Sequence, residues 1–431
     1  MVKKHWIGIW IASLLVGSLL IAACSSAPAA TPSQPKPAAP SGAAQAPTSA
    51  APAQAPTAAA AAKPAASSEP IIIGGSLPLS GGSSTAGSDA MKGTTMAVDE
   101  VNAAGGVLGR QIKLQIQDDA SVPSQGASVA QALTTQYKMP VMLGPYNSNV
   151  AAALVAVTRK AKVPVLLNGS SATSVLRDGA TQGDPWVFRQ YADTDDQGFM
   201  VANYVVKQMG LKNVAIIYEN TDYGKGLEQS FRANVTKLGG KIATSEAYEQ
   251  GTTDFSAQIT RIKAINGVDG IYLASTIGDG AQILNTAYDM GLKAARIGSG
   301  GLINNALFQT VRPEALDGML IVSPYEAGTG NELGKKFAQA FKAKYGADPG
   351  ANEAIGYDDI QIIVDAIKRA NSLDPQAVRD AIMKSSIKSI LGQPNYTISY
   401  DGWGYSHQQG VVAKYDTKTK TRVVVGYAPG Q

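Results

Sequence analysis

Ile71-Ile-Ile-Gly-Gly-Ser-Leu-Pro-Leu-Ser-Gly81 opens the part of the chain whose order of elements decides the fold. Ile71 to Ile73 are a short apolar run ending at Gly74, the pattern of a buried strand. A loop rich in Gly and Ser follows. The spacing then predicts a helix from about Asp89 to Ala103, with Met91, Val98 and Val101 on its buried face and Gly105-Gly106 closing it. Gln111 to Gln117 alternates Ile112, Leu114 and Ile116, a second strand, and Asp118-Asp119 leads on to a helix near Ser124 to Tyr137. Pro140 to Leu143 and Pro164 to Leu167 are further strands, separated by an Ala/Val-rich helix from Asn149 to Lys160. Strand, helix, strand units at this spacing argue for a parallel sheet with helices on both faces.

The pattern then starts again. Helices are expected at Gln197 to Met209, Gly226 to Leu238, Asp254 to Ala264 and Gly280 to Met290. They alternate with strands at Val214 to Tyr218, Lys241 to Glu246, Gly270 to Ala274 and Arg296 to Gly298. A second βα series implies a second lobe of similar build. Three more helices, Asn331 to Tyr345, Glu353 to Arg369 and Pro375 to Lys384, precede a tail from Tyr396 to Tyr427. There Tyr/Thr/Val alternation, with Asp401-Gly402 as a turn, reads as hairpin. The chain leaves one lobe and returns to it.

Upstream of the folded part the chemistry changes. Lys3 and Lys4 precede an apolar run from Trp6 to Ala23, with small residues at its end, as in a secretory signal. At about 18 residues the run is long enough for a membrane anchor on length alone, but Ile21-Ala22-Ala23-Cys24 resembles the bacterial lipobox. That resemblance implies cleavage before Cys24 and acylation of its thiol. Cys24 is the only cysteine, so once lipidated it leaves no internal disulfide to form. Ser25 to Ser68 are almost wholly Ala, Pro, Ser, Thr, Gln and Gly, with Lys36 and Lys63 the only charges. Such a segment buries too little apolar surface to offset its ordering entropy and is expected to be a disordered tether, about 130 Å at full extension.

Charge and composition narrow the function. The formal net charge is +4, and no basic run forms a nucleic-acid face. Outside the signal segment His407 is the only histidine, so a Ser-His-Asp device or a histidine metal site has one residue to draw on. It lies after Trp403 in the tail and reads as an exposed strand or turn residue. Gly82 to Ser88 has the look of a phosphate loop, but Ser88 stands where that motif needs Lys. No catalytic residue, metal or cofactor is expected.

Several segments carry a resemblance. They are Gly75 to Gly81, Asn102-Ala-Ala-Gly-Gly-Val-Leu-Gly109, Asp118-Asp119, Phe188-Arg189 with Asp196-Gln197-Gly198, Asp222-Tyr-Gly-Lys-Gly226, Asp254-Phe255, Gln282-Ile-Leu284 and Gly356-Tyr-Asp358. In this order they resemble the branched-chain amino acid (leucine/isoleucine/valine)-binding family of type I periplasmic binding proteins, over nearly all of Pro70 to Tyr427. The resemblance implies an α/β fold of two Rossmann-like lobes joined by three hinge crossovers, here near Tyr191, Val322 and Pro394, with ligand in the cleft. The expected organisation is a signal peptide at 1–23, the linker at 24–68, lobe one at 69–190 and 323–393, and lobe two at 191–322 and 394–431.

The family's ligand positions fall on particular residues. Gly144-Pro-Tyr-Asn-Ser148 matches the loop that holds a ligand carboxylate, with Ser148 at its hydroxyl position and Tyr146 and Asn147 beside it. Asn168-Gly-Ser-Ser171 matches the loop where a carbonyl and a hydroxyl hold the ligand head. Gly169 and Ser171 take those places, with Ser170 between them. Tyr223 matches an aromatic that closes over the ligand from lobe two. The sequence departs twice: a second aromatic position falls on Thr276, and the acid that meets a ligand ammonium is replaced by Gly300. A buried ammonium without a carboxylate is costly. Either another acid such as Asp279 or Glu326 substitutes, or the ligand lacks an amino group.

The implied function is an extracytoplasmic, lipid-anchored ABC importer component. It would be a monomer that captures a hydrophobic amino acid or a related carboxylate or amide and hands it to a membrane permease. A sensing module of the same fold and a lipid-anchored hydrolase are the competing readings.

Overall fold

The computed structural model describes residues 69–327, 332–428 and 430. The signal segment, Cys24 and the Ala/Pro-rich tether lie outside the described residues.

Fourteen strands occur among them: β1 Ile71–Leu77, β2 Ile112–Asp118, β3 Met142–Leu143, β4 Val165–Leu166, β5 Val187–Phe188, β6 Asn213–Glu219, β7 Lys241–Tyr248, β8 Gly270–Ala274, β9 Ala295–Gly298, β10 Leu320–Ser323, β11 Ile387–Lys388, β12 Thr397–Ile398, β13 Gly410–Asp416 and β14 Thr421–Ala428. The α-helices are α1 Ser84–Ala103, α2 Pro123–Gln136, α3 Ser148–Ala161, α4 Thr173–Arg177, α5 Thr194–Asn203, α6 Asp222–Lys237, α7 Ser256–Lys263, α8 Ile277–Asp289, α9 Leu307–Thr310, α10 Pro313–Leu316, α11 Glu332–Tyr345, α12 Ala351–Ala370 and α13 Pro375–Met383.

The strands build two main sheets. The first, in the order β2-β1-β3-β4-β5, is parallel throughout. The second, β14-β13-β10-β9-β8-β6-β7, is parallel from β10 to β7 and antiparallel at the β13–β14 edge. In each, the strand order reverses once, between β1 and β3 and between β6 and β8. Crevices at the carboxyl ends of such switch points are where α/β sheets place ligands. The chain crosses between the sheets three times: after β5, after β10 on the way to α12, which packs on α1, and before β13.

Burial follows from this layering. Ile71, Ile73, Val141, Leu143 and Leu166 are buried with Ile360, Ile363 and Ile367 of α12 in one core. Ile216, Tyr272 and Leu320 share a core of the second lobe with Leu227 and Phe231 of α6. A parallel strand covered on both faces leaves no room for polar alternation, which is why β1 and β6 read as continuous apolar runs.

Helix starts differ from the apolar periodicity in a consistent way. α5 and α6 begin at Thr194 and Asp222, three and four residues before the expected Gln197 and Gly226. The Asp193 carboxylate accepts from Asp196 N, and the Thr221 hydroxyl accepts from Gly224 N. Both are N-caps whose polar first turn carries no apolar signal. After Asn203 the helix widens into a π turn at Tyr204–Gln208.

One expectation is corrected. Asp401-Gly402 does form a turn, closed by Gly404 N donating to Asp401 O, but it does not join the hairpin strands. The hairpin is β13–β14, and its turn at 417–420 is held by the Asp416 carboxylate, which accepts from Lys418 N and Thr419 N. An Asp bonding the backbone two residues on is as good a turn former as Asp-Gly.

Candidate functional site

The cavity is assembled at the strand ends of both sheets. The segments after β3, β4 and β5 line it, as do those after β6, β8, β9 and β10, together with the start of α12. Its volume is about 60 Å³ as swept by the centres of water molecules. That space admits a small molecule. The lobes touch around it: Asn304 Nδ2 donates to Asp89 Oδ2 at 3.0 Å, joining the loop after β9 to α1.

From the first lobe come Tyr146, Asn147, Ser148, Gly169 and Ser171, all lining the cavity. Ser148 is the first residue of α3, a helix of 14 residues, so free backbone N–H groups and the positive end of the helix dipole meet there. Its Oγ accepts from Ala172 N at 3.1 Å and from Ser170 Oγ at 3.3 Å, which ties the β3 loop to the β4 loop and leaves its own proton to give. Ser170 is not in the cavity wall; it is fully buried behind it. Gly169 has φ +105°, and a Cβ there would land inside the Tyr146 ring, so only glycine lets that ring lie across the loop. Asn147 donates from Nδ2 to Ser83 Oγ at 2.9 Å.

From the second lobe come Tyr223, Thr276 and Gly300. The Tyr223 hydroxyl accepts from Gly301 N at 2.7 Å, and burial pushes its pKa up to about 12. Eight of the nine residues expected from the sequence therefore share one cavity. Whether they hold ligand is a separate matter, taken up below.

Sequence reasoning missed the acid. Asp279 and Glu326 do not line the cavity: the Asp279 carboxylate accepts from Gly251 N at 3.1 Å, and Glu326 is paired with Arg422 at 2.9 Å. Glu219 does line it, at the carboxyl end of β6, with its Oε2 accepting from Thr276 Oγ1 at 3.1 Å. Desolvation raises its pKa to about 7, against the Thr276 hydrogen bond, and the charge of Asp279 pushes the same way as burial. The only signal for it in the sequence is an acid directly after an apolar strand and four residues before Tyr223. Gln197 was also missed. Its carboxamide projects from α5 against Gly300.

The same cavity is lined by the apolar side chains of Ile303, Val322, Pro324 and Ile355. Hydroxyls and helix N–H groups, a carboxylate and aliphatic carbon lining one cavity suit an amphipathic solute. No lining residue is Lys, Arg or His. Among the described residues no cluster of His, Cys, Asp and Glu is arranged to hold a metal ion.

His407 lies apart from this cavity, on the link between β12 and β13. Its Nδ1 is 3.5 Å from Asp196 and its Nε2 3.6 Å from Asp401, and those two carboxylates raise its pKa to about 10. It is half exposed, as expected, but it holds two segments of the crossover region together.

Comparison with known proteins places the chain. Residues 70–418 match the family model described as periplasmic binding protein. The chain is 30% identical over 359 residues to Leu/Ile/Val-binding protein homolog 1 of Brucella suis biovar 1 (strain 1330), covering 80% of this chain and 92% of that one. Its structure resembles that of the branched-chain amino acid transporter substrate binding protein LivJ from Streptococcus pneumoniae str. Canada MDR_19A, solved in complex with isoleucine. There the TM-score is 0.75 and the identity 27%, over 83% of this chain and 99% of the other. The leucine binding protein LivK from Thermotoga maritima MSB8 gives a TM-score of 0.77 and 26% identity over 83% and 99%. The chain belongs to the periplasmic binding protein family, solute-binding proteins that work outside the cytoplasm as components of ABC importers.

Proposed function

We propose that this chain captures a branched-chain or other hydrophobic amino acid, or a related small carboxylate or amide, between its lobes and delivers it to a membrane permease. The observation that carries the reading is the arrangement of one cavity. Ser148 at the start of α3 and Ser171 line the same cavity as the apolar side chains of Ile303, Val322 and Ile355. On this reading Ser148, Ser171 and the first N–H groups of α3 receive the ligand carboxylate, which helix N-termini bind without a buried basic residue. Tyr223 and Thr276 complete the enclosure from the second lobe, and hinge closure is stabilised by contacts that need both lobes. The relatives named above, by their names, bind leucine, isoleucine and valine, which supports an aliphatic side chain against those apolar groups.

The lipobox-like Ile21-Ala22-Ala23-Cys24 supports anchoring through Cys24, with the Ala/Pro-rich tether holding the folded body off the membrane. Incorporation of labelled palmitate, lost in Cys24→Ser, is the check on that part.

Thermal unfolding of the purified full-length protein tests the ligand. Leucine, isoleucine, valine and phenylalanine are set against their 2-oxo acid, amide and aromatic-carboxylate counterparts. A ligand at about 100 times its dissociation constant adds about 2.7 kcal/mol. Stabilisation by at least one member of the panel is expected; none from any member would overturn the reading.

A further inference from the structure

Among the described residues Glu219 is the only carboxylate lining the cavity, and no Lys, Arg or His lines it to balance the charge. The ionisable groups that face it are Asp279 from α8, Tyr223 from α6, Tyr248 from β7 and Tyr146 from the loop after β3, none of them positive at neutral pH. Thr276 Oγ1 donates a hydrogen bond to it, and the Thr221 side chain and the Thr276 backbone N–H also favour its charged form, yet burial outweighs all three. Two more acceptors line the same cavity without a hydrogen-bond partner in the protein, Asn147 Oδ1 and Gln197 Oε1. Buried acceptors left unmatched are costly, and a carboxylate costs most. The wall therefore offers an excess of acceptors and one negative charge to whatever enters. A group with several N–H donors and a positive charge complements it; a second carboxylate brought to the same end does not.

The two poles of the cavity also lie on opposite lobes. The end of α3 with Ser148 belongs to the first lobe and suits an anion. Glu219 ends β6 of the second lobe, and its charge reaches the Tyr146 hydroxyl across the cleft. Apolar side chains line the same cavity. Carboxylate, ammonium and aliphatic side chain around one carbon fit three such surfaces at once.

Resting on the functional reading above, we infer that Glu219 is the specificity-determining residue of this cleft: it receives the ammonium of an α-amino acid, replacing the acid absent at Gly300. The ligand class is then narrowed to free α-amino acids, with amine-free carboxylates excluded. Closure brings the ammonium on to Glu219 and the carboxylate on to α3, so a ligand lacking either pole bridges the lobes less well.

Calorimetric titration of the purified full-length protein at pH 8 tests this, with L-leucine, L-isoleucine, L-valine and L-phenylalanine and the amine-free partners 4-methyl-2-oxopentanoate and 4-methylpentanoate. The wild type is expected to bind at least one amino acid more tightly than either amine-free acid by on the order of 100-fold. Glu219→Gln is expected to lose that preference, with amino-acid affinity falling by a similar factor, and Glu219→Asp to keep it in part. Wild-type binding of the amine-free acids as tight as that of the amino acids overturns the inference and leaves the functional reading standing. Unchanged amino-acid affinity in Glu219→Gln does the same. Absence of binding by every compound overturns the inference, and the functional reading is then decided by the amide and aromatic-carboxylate members of the thermal-unfolding panel. Should Glu219→Gln fail to fold, the wild-type ranking alone decides.

Discussion

The carboxamide oxygen of Gln197 lies 2.7 Å from the point where a Cβ on Gly300 would sit. Gln197 Nε2 is tethered, donating to Ala192 O at 2.8 Å, so the carboxamide cannot swing aside without giving up a hydrogen bond. The space beside Gly300 is filled from the side by an amide on α5. Gly300 and Gln197 therefore share one space, which the carboxamide occupies only because residue 300 has no side chain.

A double-mutant cycle exposes the competition for that space. Gly300→Ala should cost about 1 kcal/mol, the worth of the Gln197–Ala192 hydrogen bond it displaces. In a Gln197→Ala background the same substitution should cost close to nothing. Urea unfolding of the four proteins measures the coupling; strict additivity would show that the two side chains do not compete for the space.

Ser148 and Ser171 should separate cleanly, although the sequence gives them the same role. Ser148 Oγ satisfies Ala172 N, so Ser148→Ala leaves a buried N–H unpaired and should cost about 1–3 kcal/mol of stability as well as affinity. Ser171→Ala should weaken ligand binding while changing the unfolding free energy by under about 0.5 kcal/mol. Parallel titration and urea unfolding read both. An unaltered affinity in the double variant would remove these serines from the site.

How much of this was legible in the sequence depends on where each residue's signal lies. The lobes were legible because β1, β6 and β8 are unbroken apolar runs and glycines or acids punctuate them. The loops with Tyr146 to Ser148 and Gly169 to Ser171 were legible because family resemblance runs through them. Glu219 was not: an acid after a strand is common, and only the side-by-side pairing of β6 with β8 puts it against Thr276. Gln197 was noted as part of a motif, but its contact with Gly300, about a hundred residues further along, is a tertiary fact that no local pattern carries. The true hairpin turn was hidden because Asp416 forms it by side-chain bonding rather than through a glycine.

His407 gives a pH-dependent term of known sign. Its pKa is about 10 in the folded state against 6.5 unperturbed, so the folded state holds the proton more tightly. The contribution is complete below about pH 6.5 and is lost as the pH rises through about 10. Asp196, Asp401 and the Tyr405 ring, 4.4 Å away, are the groups that face it. The stability difference between wild type and His407→Gln should therefore be largest at pH 6 and shrink by pH 10, as followed by urea unfolding. A difference that is flat with pH would mean the imidazole carries no charge at this junction.

Glu219 should leave its own mark on stability, independent of ligand. Its pKa is about 7 in the folded chain against 4.5 unperturbed, and burial is the largest cause. Because the folded state binds this proton more tightly, stability is highest below about pH 4.5 and falls as the pH rises through 7. The loss is on the order of 1–3 kcal/mol. Glu353 and Asp358 are also raised to about 7 and titrate in the same window, but they are common to wild type and variant and cancel in the difference. Glu219→Gln should therefore match the wild type near pH 5 and exceed it at pH 8. Saturating leucine should reverse that order at pH 8, since the ammonium makes the wild-type charge favourable and has no such partner in the variant. If unfolding free energies of the two proteins run parallel from pH 5 to pH 8, the carboxyl of Glu219 is not titrating there, and the charge assigned to it in the cleft has no support from stability.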